Sequence, residues 1–252
     1  MKILKPFFLF TSIYSAFIGC SKKNDPAATV CYPGTSTYVD GSFSDVETYT
    51  YTNNKVTSIS TNSSDGATNT NNYSYNSQGK LISTTYTYTS GSYTYSDNET
   101  LTYDTKGKII QMTSPSSKMV FTYNSSDQLV KEDLYENNSS TYVLYNSYTY
   151  TYPSVNTKNY TARMSYDGSN ALQSTITFVY DAKQNLQAVL FPDYPGPTNN
   201  ATQTTVQYSG SSNPPSIVNY TYTYSANGFP LTVTEKNGNY TYITTYSYTN
   251  CK

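Results

Sequence analysis

From Val30 onward, apolar side chains recur at every second position and never settle into a helical period. The rows Tyr86/Tyr88, Tyr93/Tyr95, Tyr148/Tyr150/Tyr152, Tyr220/Tyr222/Tyr224, Tyr240/Tyr242 and Tyr246/Tyr248 alternate mostly with Thr. Alternation of period two puts successive side chains on opposite faces of a strand. Tight-turn signals stand between the rows. Asn53-Asn54 pairs Tyr51 with Val56; Ser90-Gly91 pairs Tyr88 with Tyr93 and Tyr86 with Tyr95; Asn237-Gly238 is the strongest two-residue hairpin signal in the chain. Neighbouring strands therefore pair in sequence order, as a meander.

A second pattern recurs with these hairpins: aromatic, any residue, Tyr, Asn or Asp, two polar residues, Gly, Lys, aliphatic. It is clear in Tyr73-Ser74-Tyr75-Asn76-Ser77-Gln78-Gly79-Lys80-Leu81 and in Leu101-Thr102-Tyr103-Asp104-Thr105-Lys106-Gly107-Lys108-Ile109. Weaker copies begin at Phe121, Phe178 and Tyr222. Asn or Asp opens the turn by bonding its own backbone, and Gly four residues after Tyr takes the left-handed position that closes it. That register sets Tyr75 against Leu81, Tyr103 against Ile109 and Tyr123 against Leu129, aromatic–aliphatic pairs that stabilise by about 0.2–1 kcal/mol each. Asp127 and Gln184 replace the Gly in two copies, and a non-Gly residue there costs more, so another turn geometry is expected in both.

Tyr-Asn/Asp-x-x-Gly-Lys-Leu resembles the YD repeat of rearrangement-hotspot and teneurin-type shells, and more closely the small YD-repeat lipoproteins of Gram-negative bacteria. The resemblance extends from about Tyr49 to Tyr248. It implies an all-β fold, an antiparallel meander of β-hairpins forming a twisted open sheet or a partly closed barrel, too short to enclose a payload. Strict alternation then raises a conflict. Tyr86, Tyr88, Tyr93, Tyr95, Leu101 and Tyr103 share one parity, while Tyr73, Tyr75 and Leu81 share the other. Either bulges switch the faces between repeats, or the sheet curls with a core on one side and a tyrosine surface on the other.

Composition sharpens the picture. Thr, Ser, Asn and Tyr fill 130 of 252 positions, 31 of them Tyr, so tyrosine must supply the core that scarce Leu and Ile leave unfilled. The absence of His removes Ser-His-Asp and Cys-His nucleophile systems and His-ligated zinc. Arg163 is the only arginine, and no basic stripe exists for nucleic acid. No cofactor and no enzymatic activity are expected.

The first residues place the chain in the cell. A short basic start, Met1 to Lys5, precedes the uncharged, mostly apolar stretch Phe7 to Ile18, too short to span a bilayer. Its end, Phe17-Ile18-Gly19-Cys20, resembles the lipobox of bacterial lipoproteins. That resemblance implies a signal peptide over 1–19, a lipidated Cys20 that holds the protein in the outer membrane, and a tether over 20–34 before a hairpin domain over 35–252. Ser21-Lys22-Lys23-Asn24-Asp25 is similar to part of a surface-export signal, leaving either the cell surface or the periplasmic face. Cys31 and Cys251 remain as an even pair in an oxidising compartment; they form either a disulfide joining the two ends of the domain or two free thiols.

The turn carboxylates Asp104 and Asp181 are accounted for as turn openers. The tyrosine rows carry the candidate binding chemistry: Tyr86, Tyr88, Tyr93, Tyr95, Tyr148, Tyr150, Tyr220 and Tyr222 are either an aromatic platform for sugar faces or the core itself. The loops Phe191 to Ala201 and Ser209 to Ser216 are further docking candidates. The expected partners are the membrane through the lipid anchor and an extracellular glycan or another envelope protein; the alternative is a structural accessory without a small ligand.

Overall fold

The computed structural model describes residues 32–249, so Cys20, Cys31 and Cys251, and with them the signal peptide, the anchor and the disulfide, lie outside the described residues. The first strand, β1 (Tyr32–Asp40), already takes in the last residues assigned to the tether. It is followed by β2 (Phe43–Thr52), β3 (Lys55–Ser63), β4 (Thr68–Tyr75) and β5 (Leu81–Ser90). Next come β6 (Tyr93–Tyr103), β7 (Ile109–Thr113), β8 (Ser117–Tyr123), β9 (Leu129–Asn138) and β10 (Thr141–Thr151). The chain completes with β11 (Ala162–Asp167), β12 (Leu172–Gln184), a short α1 (Leu186–Leu190), β13 (Asn199–Tyr208), β14 (Ser216–Tyr224), β15 (Pro230–Asn237) and β16 (Tyr240–Thr249). Each strand pairs antiparallel with the next, and β1 pairs with β16 through partners such as Tyr38 and Thr244. The meander is thus a closed barrel of sixteen strands. Closure removes the unpaired edges that so hydroxyl-rich a sheet would otherwise present to other chains.

The parity conflict is resolved by bulges, one at each signature turn. Tyr75 pairs with Leu81 but Ser74 pairs with Ser83, so Ile82 is extra; the same shift separates Tyr103–Ile109 from Thr102–Gln111 and Tyr123–Leu129 from Thr122–Lys131. Tyr51–Val56 and Tyr224–Pro230 obey the same rule. Each extra residue flips the facing of the strand positions after it, so Leu81, Thr84, Tyr86 and Tyr88 all point inward with Tyr73 and Tyr75.

The turns follow the glycines with two adjustments. Gly79, Gly107 and Gly228 take the expected positive φ, and Asp127 keeps the same geometry at φ +66 instead of adopting another. Lys106 and Lys108 both bond its carboxylate. Asn53-Asn54 forms its loop as expected. The loops at Gly91 and Gly238, however, are Gly91-Ser92 and Gly238-Asn239, one residue later than the sequence suggested, because a positive φ at the first loop position is the type II′ requirement that Gly meets. Tyr88 therefore pairs with Tyr95, and Tyr86 with Asp97. The rings still meet diagonally, Tyr86 to Tyr95 and Tyr88 to Tyr93 both at 6.4 Å.

One interaction joins repeat to repeat. Tyr75 donates its hydroxyl to the Val56 carbonyl at 2.8 Å, Tyr103 to Leu81 at 2.6 Å, Tyr123 to Ile109 at 2.8 Å and Tyr152 to Leu129 at 2.8 Å. In each case the acceptor is the residue that opens the preceding bulge. Tyr248 to Pro230 and Tyr51 to Pro33 continue the series around the barrel. The signature lysine caps the next ring: Lys80 Nζ lies 4.7 Å from the Tyr103 ring centroid and also donates to the Gly107 carbonyl at 2.8 Å. A Cβ on Gly107 would displace that flexible amine from its place, while the positive φ is what favours glycine here.

All signature turns lie at one end, the base. There Val56, Leu81, Leu101, Ile109, Phe121 and Leu129 form one core with Tyr148, Tyr150 and Tyr160, while Leu186, Phe229, Val233 and Tyr246 form a second. The Gln184 copy has no tight turn. Its hairpin opens into α1 and a Pro-rich segment, in which Leu186 belongs to the second core, Phe191 packs on Tyr73 at 4.7 Å and Tyr194 meets Phe121 edge-on at 6.4 Å. The expected loop from Phe191 is thus a plug in the base. It leaves beneath it a cavity of about 20 Å³, bounded by Tyr75, Leu81, Ile109 and Phe191, room for about one water.

If the hydroxyl series carries the fold, Tyr103→Phe should lower stability by about 1–3 kcal/mol, since it strips a donor from a part-buried carbonyl without changing the ring. Tyr93→Phe, at an exposed ring, should stay within about 0.5 kcal/mol. Urea unfolding midpoints compare the two; equal midpoints would remove the hydroxyl series from the account.

Candidate functional site

At the opposite end, the mouth, inward side chains pass from packed to wet. Along the inward face of β6, Leu101 is 8% exposed and Tyr93, at the mouth, 60%. This gradient sorts the candidate tyrosines. Tyr148 and Tyr150 are core, at 8% and 9% exposure; Tyr150 donates to Glu132 at 2.8 Å, and the Arg163 guanidinium lies 5.2 Å from the Tyr148 ring. Tyr220 and Tyr222 are half-buried against the second core, with the Tyr222 hydroxyl on the Ala201 carbonyl at 2.9 Å. These four are therefore not an accessible platform. With so few aliphatics available, the rings nearest the base are needed to fill it. Tyr86, Tyr88, Tyr93 and Tyr95 remain together at the mouth on the β5–β6 hairpin.

Barrel closure adds residues that sequence spacing could not assemble. Tyr38 on β1 lies parallel to Tyr242 on β16, centroids 5.9 Å apart at 21°, and Tyr240 continues the row at 6.5 Å and 4°. Cross-strand pairing puts Asp45 opposite Tyr38 and Glu235 opposite Tyr242. Burial first, then Asp40 and other neighbours, push the Tyr38 hydroxyl up to about 12. The Tyr240/Tyr242 alternation was visible in the sequence; its junction with Tyr38 depends on the two ends of the chain meeting.

Carboxylates are distributed by depth. Glu132, buried in the base core, is pushed up by burial, while the Tyr150 hydroxyl and Arg163 pull it back. Midway, burial and neighbouring Asp97 push Glu99 up to about 7. Asp97 accepts from Ser116 at 2.8 Å and from Tyr95 at 3.2 Å. The turn carboxylate Asp104 accepts backbone N–H bonds from Lys106 and Lys108, which hold it below the usual range, as a turn opener should. Asp181 does more than open a turn. It accepts from Lys183 N at 2.7 Å and from the Tyr224 hydroxyl at 2.5 Å, beside the fully buried Asn200.

On three strands most outward positions are hydroxyl or amide, Thr48, Thr50 and Thr52 on β2, Ser96, Asn98, Thr100 and Thr102 on β6, and Asn219, Thr221 and Thr223 on β14, with the exposed Val46 and Ile217 among them. A membrane-spanning barrel turns an apolar band about 25 Å tall toward lipid and keeps its polar side chains inside. These three strands have the opposite arrangement, with aromatic faces inward and hydroxyls outward.

No protein-family model matches the sequence. No curated protein matches it. Among solved structures, a porin-like protein from Bacteroides uniformis is similar at 14% identity, with 89% of this chain and 100% of that one covered and a TM-score of 0.43. A porin-like protein from Bacteroides vulgatus is similar at 9% identity, 86% and 99% coverage and a TM-score of 0.46. A Photorhabdus luminescens Tc holotoxin pore is similar at 12% identity over 82% of this chain and 11% of that one, with a TM-score of 0.30.

The raised Glu99 sets a pH dependence. A carboxyl that titrates near 7 when folded and near 4.5 when unfolded binds more proton in the folded state between those values, so stability rises as pH falls from about 8 to about 5. The gain from this residue is on the order of 2 kcal/mol, and Glu99→Gln should remove that part of the slope. Chemical denaturation across this pH range checks it; a wild-type slope that the variant reproduces would exclude Glu99 as its source.

Proposed function

We propose that the chain is a YD-repeat-type lipoprotein, anchored to the outer membrane through Cys20, whose barrel is a non-enzymatic binding module for an extracellular glycan. The observation that carries this reading is the asymmetry of the barrel: a plugged base, and a mouth where exposed tyrosines stand beside carboxylates. Flat ring faces suit the C–H faces of sugars, and carboxylates and phenol hydroxyls suit their rims. The mostly hydroxyl and amide outward rows of β2, β6 and β14 support a barrel that stands in water on its tether, with the lipid alone in the bilayer. The lack of His supports the non-enzymatic reading, since it removes the side chain most used for proton transfer near neutral pH.

On a glycan array, the protein should bind a restricted set of sugars, and Tyr93→Ala, whose ring is 60% exposed, should weaken that binding about tenfold with little change in melting temperature. Absence of any glycan signal would favour a structural accessory instead. For the anchor, mass spectrometry of the membrane fraction should find Cys20 carrying acyl chains; an unmodified Cys20 peptide as the main species would refute it.

A further inference from the structure

Around the base, the chain provides cations for its own rings. Lys55 Nζ lies 5.1 Å from the Tyr75 centroid, Lys80 4.7 Å from Tyr103, Lys108 5.0 Å from Tyr123 and Lys183 5.7 Å from Tyr224. A cation over a tyrosine face is held by the ring's negative quadrupole. At the mouth the same rings have carboxylates instead. Tyr38, Tyr242 and Tyr240 form a parallel row, Glu235 stands opposite Tyr242, Asp45 opposite Tyr38, and Asp40 lies two residues nearer the rim on the same inward face of β1. Among the described residues no lysine or arginine lies over these three rings. Lys236, next to Glu235, pairs with Thr241 and so belongs to the outward face. Asp45 Oδ1 accepts no hydrogen bond.

We infer that the Tyr38–Tyr242–Tyr240 row with Asp40, Asp45 and Glu235 is a cation-accepting subsite of the mouth, and that the glycan it takes carries free amino groups. This deepens the glycan reading above and rests on it. The three carboxylates complement an ammonium in charge, the rings add cation–π attraction, and the ring faces between them accommodate the apolar side of the sugar that bears the amine. A basic peptide offers the same ammonium without that flat face, so the sugar is the better fit to a row of parallel rings.

Calorimetric titration of the mature protein at pH 6 with a glucosamine hexamer, an N-acetylglucosamine hexamer and hexalysine separates these readings. The free-amine sugar should bind about tenfold tighter than the acetylated one, and more weakly as salt rises. Glu235→Gln should cost about tenfold in its affinity without lowering the melting temperature. Equal binding of the two sugars, insensitive to Glu235→Gln, would overturn the cation subsite and leave the glycan reading standing. Hexalysine binding as tightly as the amino sugar would overturn the sugar assignment, and no binding by any of the three would overturn the inference, the glycan array then deciding the broader reading separately.

Discussion

The barrel depends on a tyrosine hydroxyl reaching the carbonyl that opens the bulge one repeat earlier. A bulge disturbs the ladder locally, and a carbonyl has two lone pairs, so that oxygen can take a donor from outside its own hairpin. A ring long enough to reach from the next repeat, with a hydroxyl at its tip, answers that need and fills space at the same time. Phe would fill the space without the bond, and Leu would provide neither. This is why a chain poor in aliphatics can still build a core. The residue that replaces them also binds each hairpin to its neighbour, as in Tyr75 to Val56 and Tyr103 to Leu81.

Local features were legible in the sequence because they are set within a few residues. The Tyr75–Leu81, Tyr103–Ile109 and Tyr123–Leu129 pairs occur as read, as does the left-handed glycine in the first two of these turns. Of the two ways out of the parity conflict the structure takes the bulges, and each leaves a mark in the sequence. Leu81-Ile82, Ile109-Ile110 and Leu129-Val130 are adjacent aliphatics in a chain that otherwise alternates, and the second of each is the extra residue. Closure left no such mark. The β1–β16 pairing joins segments from the two ends of the chain, and no local pattern in either one names the other. The Tyr38–Tyr242 row was invisible for that reason, and Tyr148 and Tyr150 could not be assigned to core or surface until the base was known.

The two copies that lack glycine had different outcomes, and the difference explains the shape. Asp127 keeps a positive φ because Lys106 and Lys108 hold its carboxylate and Asn124 accepts from the backbone N–H groups of Ser126 and Gln128. The strain is offset by contacts already present in the repeat. At Gln184 no comparable set exists among the described residues. The strand runs on, Asn185 caps α1 through Gln187 N, and the segment folds inward until Phe191 reaches Tyr73. One failed turn thus becomes the plug that makes the base differ from the mouth.

That difference in turn fixes where charge can reside. A carboxylate taken out of water must find partners or a proton, which is the state of Glu132 between Tyr150 and Arg163 and the reason its carboxyl is pushed up. Glu99, further from the plug, is pushed up to about 7 by burial and Asp97, into the range where pH controls it. At the rim, where Tyr240 is 66% exposed, Glu235 stands half-buried and is pushed up by burial alone. The barrel wall is one repeating hairpin throughout, so neither strand nor turn distinguishes these three settings. Distance from the plug does, and it converts a uniform tyrosine sheet into a dry base and a charged, aromatic mouth.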